Sequence, residues 1–188
     1  MNILHDSELF NAYTCLLPAS LAYYFFDLTY ASAGLMIHCP FRVLYHLHNA
    51  FNDNIYLEEI IYKISTLILY INLFLIGYEW EKKFNKIEFI YYILTSFYLY
   101  KSKPIQLEKH KLRIDLYTAI GILKSTGYIV KVNQYVYLLT VFFGFFASMH
   151  YIDNEGSEYA RGKVNILALP AYYGLLWAVQ KNNILTNN

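Results

Sequence analysis

Residues 38 to 53 read HCPFRVLYHLHNAFND. Wound as a helix at about 100° per residue, this segment places His38, Arg42, His46, Asn49 and Asp53 within an arc of roughly 80°. These residue types can do two kinds of chemistry. Arginine presents a planar fork that donates two hydrogen bonds to a phosphate or carboxylate, so His38, Arg42, Tyr45 and Asn49 form a candidate ligand-binding face. Histidine binds zinc through a neutral ring nitrogen. His46, His150 and a carboxylate would make a three-ligand zinc set, with Glu58 as the candidate catalytic base acting on a metal-bound water. Glu58, Tyr62 and Thr66 recur every fourth residue, which lines them along one face of a neighbouring helix. His150 and Asp153, close together at the end of another helix, can approach the same layer. The spacing does not itself demand a metal, because the ligands come from separate helices. The blander alternative has Arg42 paired with Asp27, Glu58 or Asp115, the histidines satisfied by hydrogen bonds, and Asp53 in a loop. His48 points away from the stripe, toward an interface.

The elements that position this face must be unusual helices. Of the 188 residues 57% are hydrophobic and 15% charged, against about 25% charged in a typical globular chain. A soluble domain of this size has to cover itself with polar side chains, whereas a lipid-facing surface needs no such cover. Ionisable groups that face lipid are costly, so a stripe such as this one turns toward a bundle interior or a wet cavity. Tyr is abundant (21 Tyr and 13 Phe against 2 Trp) and suits the membrane interface, where one end of the ring is apolar and the other wet. The excess of Tyr, Phe, Ile, Asn and Lys also fits AT-rich coding, as in a large DNA virus, a protist or an organelle. A net charge of +1 leaves no electrostatic case for nucleic acid as a partner. Cys15 and Cys39 lie in apolar stretches and suggest no disulfide framework. Asp6 and Glu8 stand where a leader peptide would be basic, so the first apolar segment is expected to be a retained helix.

A spanning helix needs about 20 mostly apolar residues. Segments of that kind predict an all-α fold, a single polytopic transmembrane bundle of about seven helices with short loops, over 9–27, 30–50, 56–78, 87–100, 112–130, 132–152 and 164–180. Pro18 is positioned to kink the first helix, Pro40 to disturb the register of the second, and Pro170 to interrupt the seventh. The fourth is short, and a re-entrant segment is its alternative. Gly121, Gly127 and Gly144 are expected where helices pack closely. Lys82, Lys83 and Lys86 fall at one end of such a bundle. Lys101, Lys103, Lys109, Lys111 and Arg113 fall at the other, which the positive-inside rule favours as cytoplasmic, together with the N-terminus.

A short seven-helix chain with Tyr45-His46 in its second helix resembles the superfamily of alkaline ceramidases, adiponectin-type receptors and hemolysin III proteins. That resemblance implies the seven-helix fold and, for members of known activity, a zinc-dependent lipid amidase. The family pattern has a Ser three residues before the aromatic-His pair, where this chain has Arg42. It has an Asp at the next helix, where the nearest acids here are Glu58 and Glu59. Its last helix carries a His-x-x-x-His pair, where the polar residues here are Asn165, Tyr172, Tyr173 and Gln180.

Three functional readings follow. The first is a non-catalytic structural or accessory membrane component with membrane lipid, and other membrane subunits, as partners and no cofactor. The second is a metal-dependent lipid hydrolase of the ceramidase kind using zinc at His46 and His150. The third is a small channel, carrier or receptor binding an anion or lipid headgroup at Arg42. No Gly-rich phosphate loop, HExxH, CxxC or GxSxG occurs, which removes the commonest nucleotide, metalloprotease, redox and serine-hydrolase signatures. No Lys sits centrally in the seventh helix, so a retinal Schiff base is not supported.

Overall fold

A computed structural model describes residues 3–52, 54–101, 127–153 and 159–187. Seven α-helices occur among them: α1 Ile3–Phe25, α2 Tyr30–Phe51, α3 Ile55–Glu81, α4 Lys86–Lys101, α5 Gln134–Asp153, α6 Ala160–Leu167 and α7 Leu169–Asn187. The described residues contain no strand. Most of the helix expected over 112–130, with Asp115 and Gly121, lies outside the described residues, as does Asp53. The part that is described forms a short 3-10 turn, Ile129–Lys131.

Small polar residues set the helix starts, because the first N–H groups of a helix need acceptors from outside it. Thr29 opens α2 with a reciprocal pair: its Oγ1 accepts from the Ser32 N–H at 3.1 Å, and Ser32 Oγ accepts from the Thr29 N–H at 2.8 Å. The Asn54 side chain accepts from the N–H groups of Tyr56 and Leu57, that of Asn85 from Glu88, and that of Asn133 from Tyr135 and Val136. Lys82 closes α3 in the left-handed region with φ 50°. The seventh expected helix is two helices, broken at Ala168, two residues before Pro170. Proline lacks an N–H and crowds the turn before it, so it fits the first turn of a new helix better than the interior of a long one. α1 begins at Ile3 rather than near residue 9, and that early start carries Glu8 into the helix.

Consecutive helices pack side by side: α1 on α2, α2 on α3, α3 on α4. α6 packs on α1 and α5, and α7 on α5, with lesser contacts to α1, α2 and α3. Polar contacts gather at both ends. At one end Glu8 meets His46, Tyr45 meets Glu58, and Lys63 Nζ donates to the Tyr100 carbonyl. At the other, Gln180 donates to Asp27, Asn183 and the Ala31 N–H both donate to the buried Glu79 carboxylate, and Tyr128 donates to Glu81. An apolar cluster of Leu35, Ile76, Trp80, Ile129, Leu176 and Val179 fills the bundle near this second end, where the Trp80 and Tyr128 rings stack at 5.3 Å.

Of the three glycines expected to pack closely, Gly121 lies outside the described residues and the other two make no such contact among them. A Cβ on Gly127 or Gly144 would meet nothing within 4 Å among the described residues. A Cβ on Gly34 would fall 1.7 Å from Asn72 Oδ1, and one on Gly174 2.1 Å from Thr140 Oγ1. On Gly162 it would fall 2.4 Å from the Phe10 ring, while the Gly162 N–H donates to Asn11 Oδ1 at 2.7 Å. These three contacts set the α2–α3, α5–α7 and α1–α6 approaches, each with a polar or aromatic side chain laid over a bare backbone. Gly162→Ala is therefore expected to destabilise the fold by about 1–3 kcal/mol. Gly144→Ala should leave stability unchanged or slightly raised through helix propensity. Denaturant unfolding of the purified protein followed by circular dichroism measures both, and equal effects would contradict the packing described.

Candidate functional site

α2 runs between α1 and α3, so its polar stripe lies where both neighbours can reach it. His46 is 0% exposed, and its Nδ1 stands 2.6 Å from Glu8 Oε2. A carboxylate only accepts, so Nδ1 carries the proton and donates, leaving Nε2 with the lone pair of the neutral ring. That Nε2 is buried and has no hydrogen-bond partner among the described residues. Glu8 forms no part of the stripe read from the sequence. The signal that points to it is the run Ser7, Asn11, Thr14 and Pro18 at helical spacing, all buried, which marks an inward face immediately beside Glu8.

One step along α2, the buried Tyr45 hydroxyl donates to Glu58 Oε1 at 3.1 Å, and its ring lies 5.9 Å from that of Tyr62. The expected stripe on α3 therefore does face α2. Two guanidinium groups share the Tyr45 ring: the Cζ atoms of Arg42 and Arg161 each lie 5.6 Å from its centroid, a cation–π distance. Arg161, from α6, also donates to the Tyr45 and Tyr151 hydroxyls. It sits in a stretch that reads as a plain loop in the sequence, and the short α6 is what carries it inward.

Among the described residues no arginine lies within ion-pair distance of a carboxylate; Lys63 pairs with Glu59, and the His46 and His5 rings stand beside the Glu8 and Asp6 carboxylates. Asp27 is engaged by Gln180 and Glu58 by Tyr45. His38 Nδ1 lies 3.1 Å from the Ser65 carbonyl and donates to it. Asn49 lines a polar pocket of about 320 Å³ with Asn52, Ile55 and Glu58, and its Oδ1 is buried without a partner among the described residues. His48 is half-buried, and both its ring nitrogens are buried without a partner among the described residues.

His150 lies partly buried near the end of α5. Among the described residues no three His, Cys, Asp or Glu side chains gather where they could hold a metal, and His46 spends Nδ1 on Glu8. Arg42 and Arg161 both act electrostatically on His46, which opposes a dication there. The arrangement is a buried imidazole held by a half-buried carboxylate beside two arginines, suited to holding helices in register and to meeting negative charge. No protein-family model, curated protein or solved structure matches the chain.

The Glu8–His46 contact ties α1 to α2, so a double-mutant cycle with Glu8→Gln and His46→Gln is expected to give a coupling of about 1–3 kcal/mol. Additivity within about 0.5 kcal/mol would show that the contact does not hold the two helices.

Proposed function

We propose that this chain is a multi-pass integral membrane protein, a structural or accessory component whose buried polar residues fix the mutual placement of its helices. The observation that carries this reading is the inside-out composition of α4 and α5. On α4 the buried positions are Glu88, Tyr92 and Thr95, while Ile87, Ile90, Leu94 and Phe97 are exposed among the described residues. On α5 the buried positions are Thr140 and Ala147, and the exposed face is Leu138, Leu139, Phe142, Phe145 and Phe146, with Phe142 61% and Phe145 65% exposed. Water-soluble monomers rarely leave so continuous an apolar face open, whereas in lipid such a face is the favoured exterior and small or polar residues mark the helix contacts.

Intrahelical satisfaction of hydroxyl groups adds support. Thr66, Thr95, Ser96, Thr140 and Ser148 each donate to the carbonyl four residues earlier, which satisfies these five hydroxyls without water. Among the described residues one helix, Ile55–Glu81, meets the length and mean hydropathy usual for a membrane span. α4 is 16 residues long, short of that length, and α2 carries three His, Arg42 and Asn49 on its half-buried or buried side. A non-catalytic role fits the engagement of the candidate groups with one another, His46 with Glu8 and Glu58 with Tyr45.

Two experiments test the reading. The protein expressed in cells should stay with membranes through alkaline carbonate extraction. Single cysteines placed at Asn52 and Lys101 should then be labelled by an impermeant maleimide from one side, and those at Lys83 and Asn182 from the opposite side. Labelling of all four from the same side, or release of the protein into carbonate, would refute the multi-pass reading. His46→Ala is expected to lower the amount of assembled protein several-fold.

A further inference from the structure

We infer that Arg42 and Arg161, with the hydroxyl of Tyr151 and the free nitrogen of His46, form a binding site for a phosphate-type anion. A guanidinium partly withdrawn from water gains from a counter-charge, and the more it is buried the more an unpaired one costs. Here two half-buried ones converge on one tyrosine ring. Neither has a carboxylate within ion-pair distance among the described residues. Both nearby carboxylates already accept other donors, Glu8 from His46 and Glu58 from Tyr45. A guanidinium has five N–H donors; Arg161 uses some of them on the Tyr45 and Tyr151 hydroxyls, and those that remain, with Arg42, suit the forked hydrogen bonding that phosphate accepts.

A second observation points the same way. His46 is 0% exposed, and its Nε2 is buried with no partner among the described residues, though the ring lies close enough to feel both arginines. With Nδ1 already donating to Glu8, protonation at Nε2 turns this orphan atom into a third donor. The cluster lies toward the end of the bundle where α1 starts and α2 stops, with Arg42 about one turn further in than His46, so it would open toward one surface if the chain spans a bilayer. The same chemistry fits a lipid phosphate headgroup or free phosphate, and the arginine pair does not depend on which solvent surrounds the helices.

The test uses full-length protein in detergent and in nanodiscs. Inorganic phosphate is titrated against the detergent-purified protein and read as a rise in melting temperature. Fluorescent phosphatidic acid is titrated into phosphatidylcholine nanodiscs holding the protein, with fluorescent phosphatidylcholine as the neutral comparison. Saturable phosphate binding identifies a free-anion site, and saturable phosphatidic acid binding without phosphate binding identifies a headgroup site; both support the inference. Arg42→Gln and Arg161→Gln should each weaken binding about tenfold or more, the loss expected for one charge-assisted hydrogen-bonding group. Tyr151→Phe, which keeps the packing, should weaken it a few-fold, and Lys82→Gln at the opposite end should not change it. Absence of saturable binding in both arms, or equal affinity in wild type and Arg161→Lys together with Tyr151→Phe, would overturn it. That outcome would leave the membrane reading untouched, since carbonate extraction and labelling do not depend on an anion.

Discussion

Polar groups enclosed by an apolar exterior can be satisfied only by one another, and that constraint organises this molecule. The outward faces of α4 and α5 are mostly Ile, Leu, Phe and Tyr, so in the membrane setting proposed above what lies behind them has to complete its hydrogen bonds internally. The helices do so at two levels. One joins Glu8, His46, Tyr45, Glu58 and Arg161, and the other joins Asp27, Glu79, Asn183, Lys82 and Gln180. Between those levels, helix contact depends on bare glycine backbone and short side chains.

These polar layers also account for the order of the helices. Glu79 near the end of α3 accepts from the first turn of α2 through the Ala31 N–H and from Asn183 on α7, so one carboxylate ties together three helices and serves as a cap for one of them. Glu8 does a similar task for α1 and α2 through His46. Pairing a half-buried carboxylate with a buried ring N–H adds less to net stability than its distance suggests, because both groups lose water. Its larger effect is on specificity, since sliding α1 along α2 by one turn leaves the buried ring without its acceptor.

Much of this was legible in the chain, and the reasons for the remainder are specific. The helices and their approximate limits follow from uncharged runs bounded by Asn, Thr and Pro. The stripe on α2 follows from helical spacing, and four-residue recurrence on α3 anticipates that Glu58 and Tyr62 face Tyr45. Glu8 and Arg161 escape such reasoning because each lies near a segment end, where composition reads as solvent-facing and only the start of a helix decides otherwise. The packing glycines escape it for another reason: whether a bare Cα touches a neighbour depends on the crossing of two helices, so Gly34, Gly162 and Gly174 look no different in sequence from Gly144.

The account turns on what surrounds α4 and α5, and a nitroxide scanned along α5 from Tyr135 to Met149 in nanodiscs measures that directly. The apolar-exterior account predicts collision with oxygen that is high, and with a water-soluble nickel chelate that is low, at Leu138, Phe142, Phe145 and Met149, with both signals following the helical period. High nickel accessibility along that same face would mean that water bathes it, and would contradict the account.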